Sequence, residues 1–378
     1  VKHLLVTNDF PPKVGGIQSY LWELWRRLPP EDFTVLTTPS PGDLDFDRRQ
    51  PFRVVRDRQR VLVPTPALVR RIDALAEEVD AKVVLLDPVL PLGAVGPWLR
   101  QPFAVIVHGA EVTVPARLPA TRSLLGRVLR RACLVIASGD YVRIEAEGAA
   151  ACPLPMLLIP PGVDPERFRP LTAAARARVR ASFGLRPEAR LVVGVGRVVP
   201  RKGFDVLVEA ATRLAPGRPD LMVVVAGSGR QADWLARLAA SRRAPVRLLG
   251  RIPDESLPSL YAAADVFASP CRTRWGGLEQ EGFGIVFLEA GAAEIPVVAG
   301  ASGGAGEAVT DGETGMVVEQ PGDPAAVASA LATLLDDPPL RRRMGEAGRR
   351  RAVADFGYER LAERLDQGMD AIAGSRTI

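Results

Sequence analysis

Two carboxylates, Glu281 and Glu289, bracket seven residues in the run Glu-Gly-Phe-Gly-Ile-Val-Phe-Leu-Glu. The stretch from Gly284 to Ala290 suits a helix, which places Glu289 more than one turn inside it and Glu281 in the loop before it. Glu289 has Val286, Phe287, Leu288 and Ala290 for neighbours, and a free carboxylate among such side chains is costly without a partner. Amides at the start of that helix can face an anion. The segment therefore combines acceptors for hydroxyl groups with donors for a phosphate, the mix that a nucleotide sugar requires. The competing reading, two solvated glutamates, fits poorly with the apolar flank of Glu289.

A second chemical cluster follows an apolar run: Gly194-Val-Gly196-Arg197, then Arg201-Lys202-Gly203. A guanidinium can grip a diphosphate through two hydrogen bonds and an ammonium adds a point charge, so this reads as a pyrophosphate clamp, with a solvated basic loop as the alternative. The glycines do not continue into a dinucleotide fingerprint. Gly227-Ser228-Gly229 is a weaker motif of the same kind. Gly15-Gly16 lies between the apolar run Leu4–Val6 and a helical pattern through Leu21, where backbone amides can approach a phosphate; a plain flexible turn is the other reading. His108-Gly109 follows the apolar run Phe103–Val107, at the carboxyl end of an expected parallel strand, where α/β active sites lie. The only other histidine is His3, which excludes a histidine-rich metal site. Asp45-Phe46-Asp47 has the form of a metal-binding acid pair but falls in what reads as a polar loop with nothing to complete a site. No metal is expected.

These residues must be carried by an alternation of short apolar strands and amphipathic helices. Strands are expected at Leu4–Val6, Thr34–Thr37, Val83–Leu86, Phe103–Val107, Leu134–Ala137 and Met156–Ile159, nearly all-apolar as in parallel sheets covered on both faces. Leu21, Leu24, Trp25 and Leu28 mark one helix face; Leu68, Ile72, Leu75 and Val79 mark another. The pattern breaks at Pro160-Pro161-Gly162-Val163-Asp164-Pro165, passes through a polar helix over 172–182, and restarts with Leu191–Val195, Leu221–Ala226, Val246–Leu249, Val266–Ala268, Val297–Ala299 and Met316–Val318. Two doubly wound α/β domains follow, with boundaries at 1–165 and 166–355, the ligand between them at the strands' carboxyl ends, and a helix over 356–378 expected to pack back toward the first domain. Gly345 and Gly348 are expected to interrupt the helical tail that begins at Pro324.

With 378 residues the chain is long enough for two or three domains at roughly 150 residues each, and it can bury a large core unaided. Hydrophobic residues at 47% and charged residues at 25% exclude extended disorder. Cys133, Cys152 and Cys271 fit no disulfide or metal frame and read as free thiols of a reducing cytoplasm. No charged and apolar leader precedes Leu4, so no signal peptide is expected, and no apolar run reaches the roughly 18 residues of a membrane span. A net charge of +5 permits an anionic partner. Nucleic acid is not expected, since no arginine-lysine stripe with interleaved aromatics occurs.

Taken together, the segments Gly15-Gly16, Gly196-Arg197…Lys202-Gly203 and Glu281…Glu289 resemble the retaining GT-B glycosyltransferases of family 4. The runs Asn8–Tyr20, Arg197–Gly203, Pro270-Cys-Arg-Thr-Arg274 and Ala299–Gly304 are further similar to the PimB-type phosphatidylinositol mannosyltransferases within it. The resemblance implies GT-B architecture, with an acceptor-binding N-terminal and a donor-binding C-terminal Rossmann-like domain. It implies transfer of mannose from GDP-mannose, in α-1,6 linkage, to a phosphatidylinositol mannoside at the inner membrane face. On this basis Glu281, Phe283, Gly284 and Ile285 would hold the donor sugar and Glu289 the ribose. Arg197 and Lys202 would neutralise the departing diphosphate, Gly15 and Gly16 would meet phosphate, and Arg251-Ile252 would line the base pocket. His108 would lie near the sugar, with Asp9 and Gln18 on the acceptor side. One departure is visible: His108-Gly109-Ala110-Glu111 stands where the family commonly has His-Gly-His-Glu, which bears on acceptor choice.

The basic amphipathic segment Thr121–Arg131 carries Leu124, Leu125, Val128 and Leu129 on one face and Arg122, Arg127, Arg130 and Arg131 nearby, which suits either an anionic bilayer surface or an ordinary helix on the sheet. Peripheral attachment at the cytoplasmic membrane face is expected. Three other readings are weighed: a different nucleotide-sugar donor with a soluble acceptor, an NAD-dependent oxidoreductase, and a catalytically silent sugar-binding protein. The incomplete glycine fingerprint and the Arg197…Lys202 cations oppose the second, and the retained glutamates and cations oppose the third.

Overall fold

A computed structural model of the protein describes residues 1–374, the last three by backbone alone. They form two compact units. One comprises Val1–Pro161 and the returning helix Tyr358–Gly374; the other comprises Gly162–Gly357. The expected boundary at 165 falls just past this crossing. Of the helix expected over 356–378, residues 375–378 lie outside the described residues.

The described residues of the first unit build a parallel sheet of seven strands: β1 (His3–Thr7), β2 (Phe33–Thr37), β3 (Arg53–Arg56), β4 (Val83–Asp87), β5 (Phe103–Val107), β6 (Leu134–Ala137) and β7 (Met156–Leu158). Their spatial order is β3-β2-β1-β4-β5-β6-β7. Successive side chains point to opposite faces, and here both faces are covered. Leu5, Val35, Leu85 and Ile106 pack with Leu21, Leu24 and Trp25 of the helix Gly16–Trp25, and with Leu361, Leu365 and Met369 of the returning helix. Leu4, Val6, Leu86 and Val105 pack with Leu68, Ile72 and Leu75 of the helix Pro66–Glu78. Only β3 was not foreseen: Arg-Val-Val-Arg is short, charged at both ends and only partly buried, as an edge strand can be.

The second unit repeats the plan with β8 (Arg190–Val195), β9 (Leu221–Ala226), β10 (Val246–Gly250), β11 (Val266–Ser269), β12 (Val297–Gly300) and β13 (Gly315–Val318), in the order β10-β9-β8-β11-β12-β13. In each sheet the order reverses once, between β1 and β4 and between β8 and β11. At such a switch point the connecting helices leave to opposite faces, and a crevice opens beyond the strands' carboxyl ends.

Two local expectations are corrected, and a reading left open between two alternatives is narrowed. The helix Pro338–Phe356 runs unbroken through Gly345 and Gly348. The glycines serve close packing: a Cβ on Gly345 would lie 2.1 Å from the Glu294 carbonyl oxygen, and one on Gly348 would lie 3.2 Å from the Gly291 Cα. Through them the long helix seats directly on Ile285–Ala292, the helix that carries Glu289. Asp45-Phe46-Asp47 is helical, within Asp43–Asp47. Phe46 packs on Phe10 and Trp22, and Asp47 pairs with Arg56 at 2.7 Å while Asp45 is exposed, so Asp47 is engaged structurally. Finally, the apolar face of the helix Pro119–Arg131 is spent on the core: Leu125, Val128 and Leu129 are fully buried, and only Leu124 of the four reaches solvent. Arg122 and Arg130 bond the carbonyls of Gly148 and Ala150, and all four arginines of the helix, Arg122, Arg127, Arg130 and Arg131, remain exposed.

Gly345→Ala should lower stability by about 1–3 kcal/mol through overpacking, although an open helical site would gain about 1 kcal/mol from the same change. Urea unfolding, compared with Gly306→Ala, where a Cβ meets nothing, measures the difference.

Candidate functional site

In the second unit the chemistry gathers at the switch point. β8 ends at Val195 and the chain turns through Gly196 into the short helix Pro200–Lys202; β11 ends at Ser269 and runs into Pro270-Cys271. Gly203 is left-handed (φ +69), and a Cβ there would lie 2.0 Å from the Pro270 carbonyl oxygen. That close approach holds the two loops together, aided by Arg272 N donating to the Arg201 carbonyl at 2.8 Å. It brings Lys202 Nζ within 2.8 Å of Glu281 Oε2, with both side chains about nine-tenths buried. The Cys271 thiol donates to the same oxygen at 3.5 Å. The Glu281 backbone is pinned by Ser302 Oγ, which accepts its N–H at 3.3 Å, and by Gly304 N, which donates to its carbonyl at 3.1 Å.

Burial opposes both charges of the pair, but each partner outweighs it for the other: the Glu281 carboxyl is held below its ordinary range and the Lys202 ammonium above its own. The carboxylate's pairing is present above the ordinary carboxyl pKa and is lost as pH falls through the lowered value. Burial and the neighbouring carboxylate push the Cys271 thiol up to about 12, so it is a neutral donor and not a nucleophile. Arg197 is exposed, two residues past the end of β8. Arg201 Nε is buried 4.0 Å from Glu281 Oε2 and makes no hydrogen bond among the described residues.

Glu289 lies inside the helix Ile285–Ala292, as its spacing predicts. Tyr261 Oη donates to its Oε2 at 2.5 Å. Burial pushes this carboxyl above its ordinary range, against the opposing pull of Tyr261 and Arg167. Phe283 turns its ring inward, 5.8 Å from Phe356, so it has backbone rather than ring to offer a ligand. Gly284 is the left-handed cap and Ile285 the first residue of that helix. Arg251 and Ile252 follow β10, Arg251 exposed and Ile252 partly in the core. They join the same sheet end through the Gly250 carbonyl, which accepts from Gly227 N at 2.7 Å.

In the first unit a hydrogen-bonded chain crosses the other switch point. Gln18 Nε2 donates to Asp9 Oδ1 at 2.6 Å, Asp9 N to Thr7 Oγ1 at 2.9 Å, and Thr7 Oγ1 to Asp87 Oδ2 at 2.7 Å. His108 Nε2 meets Asp87 Oδ1 at 2.6 Å. The Tyr20 ring stands edge-on to the imidazole at 5.3 Å. Burial lowers the His108 pKa, but the fully buried Asp87 outweighs it, and the imidazole is held above its ordinary value. Its charge-paired form is therefore complete below the ordinary histidine pKa and is lost as pH rises through the raised one. Gly15 caps the helix that begins at Gly16, whose backbone is exposed. Glu111 accepts the amides of His108 and Gly109; its role is local.

Each unit thus gathers sequence-singled residues around partners the motifs did not name. Thr7, Asp87, Tyr261 and Ser302 were missed. Asp87 had a readable signal, an acid closing the apolar run Val-Val-Leu-Leu. Tyr261 had none, since it reaches Glu289 across the fold. Among the described residues no three His, Cys, Asp or Glu side chains converge as a metal site.

The family profile "Glycosyltransferase Family 4" matches residues 14–167 and the profile "Glycosyl transferases group 1" matches residues 175–351. The chain is 40% identical, over 97% of its length and 99% of the relative's, to the GDP-mannose-dependent alpha-(1-6)-phosphatidylinositol monomannoside mannosyltransferase of Mycolicibacterium smegmatis. It is 36% identical, over 96% of both chains, to the GDP-mannose-dependent monoacylated alpha-(1-6)-phosphatidylinositol monomannoside mannosyltransferase of Corynebacterium glutamicum. Among solved structures, Anabaena HepE in complex with UDP superposes with a TM-score of 0.81 at 20% identity, covering 98% of this chain and all of that one. That likeness establishes the fold.

Asp87→Asn removes the charge that raises the His108 pKa while leaving burial to lower it. The imidazole should then titrate below the ordinary value of about 6.5, read from its carbon-bound proton shifts by NMR across pH.

Proposed function

Because the chain belongs to glycosyltransferase family 4, we propose that it transfers mannose from GDP-mannose to a phosphatidylinositol mannoside-type glycolipid, forming an α-1,6 linkage. The observation that carries the chemistry is the buried Lys202–Glu281 pair at the switch point of the second sheet: a cation for a departing diphosphate next to a carboxylate for sugar hydroxyls. The names of relatives that align over nearly the whole chain supply the donor and the acceptor.

In this reading Glu281, with the backbone of Phe283, Gly284 and Ile285, holds the mannose, and Glu289, steadied by Tyr261, binds the ribose. Arg251 and Ile252 border the guanine. As the bond from C1 to the phosphate oxygen breaks, charge builds on the diphosphate, and Arg197 and Lys202 neutralise it, the largest electrostatic task of the step. No metal is assigned a part. The acceptor hydroxyl attacks C1 from the same face, its proton passes to the leaving phosphate, and the products are GDP and the α-mannoside. In the N-terminal unit Gly15 and Gly16 offer amides to phosphate, His108 serves the mannose, and Asp9 and Gln18 serve the acceptor. No described helix is long and apolar enough to cross a membrane. A lipid acceptor therefore calls for attachment at an anionic surface, for which the exposed Arg122, Arg127, Arg130 and Arg131 provide charge beside the exposed Leu118 and Leu124.

Calorimetric titration with GDP, GDP-mannose, UDP, UDP-glucose and NAD tests the donor: GDP and GDP-mannose should bind tightest, and a preference for uridine nucleotides would reject GDP-mannose. Lys202→Ala and Glu281→Ala should each lower kcat/KM for mannosyl transfer by at least about 100-fold with the fold intact by circular dichroism; near-normal turnover in either would remove that residue from the site.

A further inference from the structure

Two groups assigned above to the donor neutralise each other in the free protein. Lys202 Nζ sits 2.8 Å from Glu281 Oε2, yet the ammonium is required at the diphosphate and the carboxylate at the sugar. When a diphosphate draws the ammonium away, a buried carboxylate is left without its cation, an unfavourable state unless another group replaces it. Two other donors lie near the same oxygen. The Cys271 thiol, at 3.5 Å, is neutral and cannot supply charge. Arg201 Nε, at 4.0 Å, can: it is close enough to feel the carboxylate and too far to hydrogen-bond it.

The state of that Nε–H is the decisive feature. It is buried and makes no hydrogen bond among the described residues, an arrangement that folded proteins largely avoid. The Arg201 backbone is fixed, its carbonyl accepting from Arg272 N at 2.8 Å and the following amide, Lys202 N, donating to Val199 O at 3.0 Å. A side-chain shift of about 1 Å brings Nε to charge-assisted hydrogen-bonding distance. We infer that Arg201 is a positioning residue for Glu281: as the donor's diphosphate takes Lys202, the Arg201 Nε–H closes on the carboxylate and keeps it charged and in place for the sugar. This rests on the donor roles given to Lys202 and Glu281. It adds an exchange of partners, in which one cation leaves the carboxylate and a second arrives.

The rival is direct contact between Arg201 and phosphate, and a double-mutant cycle of Arg201→Gln and Glu281→Gln separates the two. Full-length protein is titrated calorimetrically with GDP and with UDP. With Glu281 present, Arg201→Gln should weaken binding about tenfold, whereas in the Glu281→Gln background the same change should cost less than about twofold, because no carboxylate remains to stabilise. In the Arg201→Gln single variant, binding should also take up a proton as the stranded carboxylate neutralises, seen as a binding heat that varies with the ionisation enthalpy of the buffer. Arg201→Lys, which keeps a cation, should lose no more than about threefold and bind without that uptake. Thermal melts verify each fold, and if Arg201→Gln fails to fold, the cycle is read with Arg201→Met, which also removes the cation. Equal losses in both backgrounds would mean phosphate contact and overturn the inference, as would no loss in either. Tighter binding of UDP than GDP would overturn the GDP-mannose assignment instead, with the cycle still read on UDP.

Discussion

The second unit is organised around one buried ion pair, the Lys202 ammonium against the Glu281 carboxylate. Neither charge could be buried there alone, since desolvation of an isolated ion exceeds what local packing returns. Each is the condition for the other, and the surrounding structure exists to hold them in register: Gly203 against Pro270, Ser302 and Gly304 on the Glu281 backbone, Cys271 on its oxygen. Such a pair is poorly justified as a stabilising device, because apolar residues of similar volume often do as well. Its position at the open end of a sheet makes sense for a site that must receive a dianionic group and a polyol together.

The same constraint recurs in the first unit with different chemistry. Asp87 is fully buried at the end of β4, and it is made tolerable by Thr7 on one oxygen and His108 on the other. The histidine gains charge and the acid gains a donor, while Thr7 holds the other Asp87 oxygen and links it onward to Asp9 and Gln18. In both units the polar cluster stands where the strand order reverses, because only there do the helices diverge and leave strand ends uncovered. The parallel sheets supply rigidity through strands buried on both faces, and the loops beyond them supply the functional groups.

Packing at a distance also serves the site. Gly345 and Gly348 admit the long helix Pro338–Phe356 to backbone contact with the helix of Glu289, so the inclination of that helix, and with it the direction of the carboxylate, depends on residues far along the chain. Tyr261, on the helix that precedes β11, completes the arrangement by binding one Glu289 oxygen.

The amino-acid sequence by itself determined the two doubly wound units, twelve of the strands, the helix that bears Glu289 and the clamp motif Arg197…Lys202, because these follow from local periodicity, glycine placement and charge spacing. The edge strand Arg53–Arg56 escaped since its pairing is made by β2 and its own pattern is barely apolar. The glycines at 345 and 348 were misread as a break because a glycine's local freedom and its service to close packing look alike in one dimension. The helix Pro119–Arg131 read as a candidate membrane face for a related reason: an amphipathic stripe does not say what covers it, and here the sheet does. Only the tertiary structure decided that Lys202 meets Glu281, that Tyr261 meets Glu289 and that Asp87 meets His108. Those encounters join residues 79, 28 and 21 positions apart, and the energy of a buried charge depends on what the fold sets beside it, a quantity no local pattern carries.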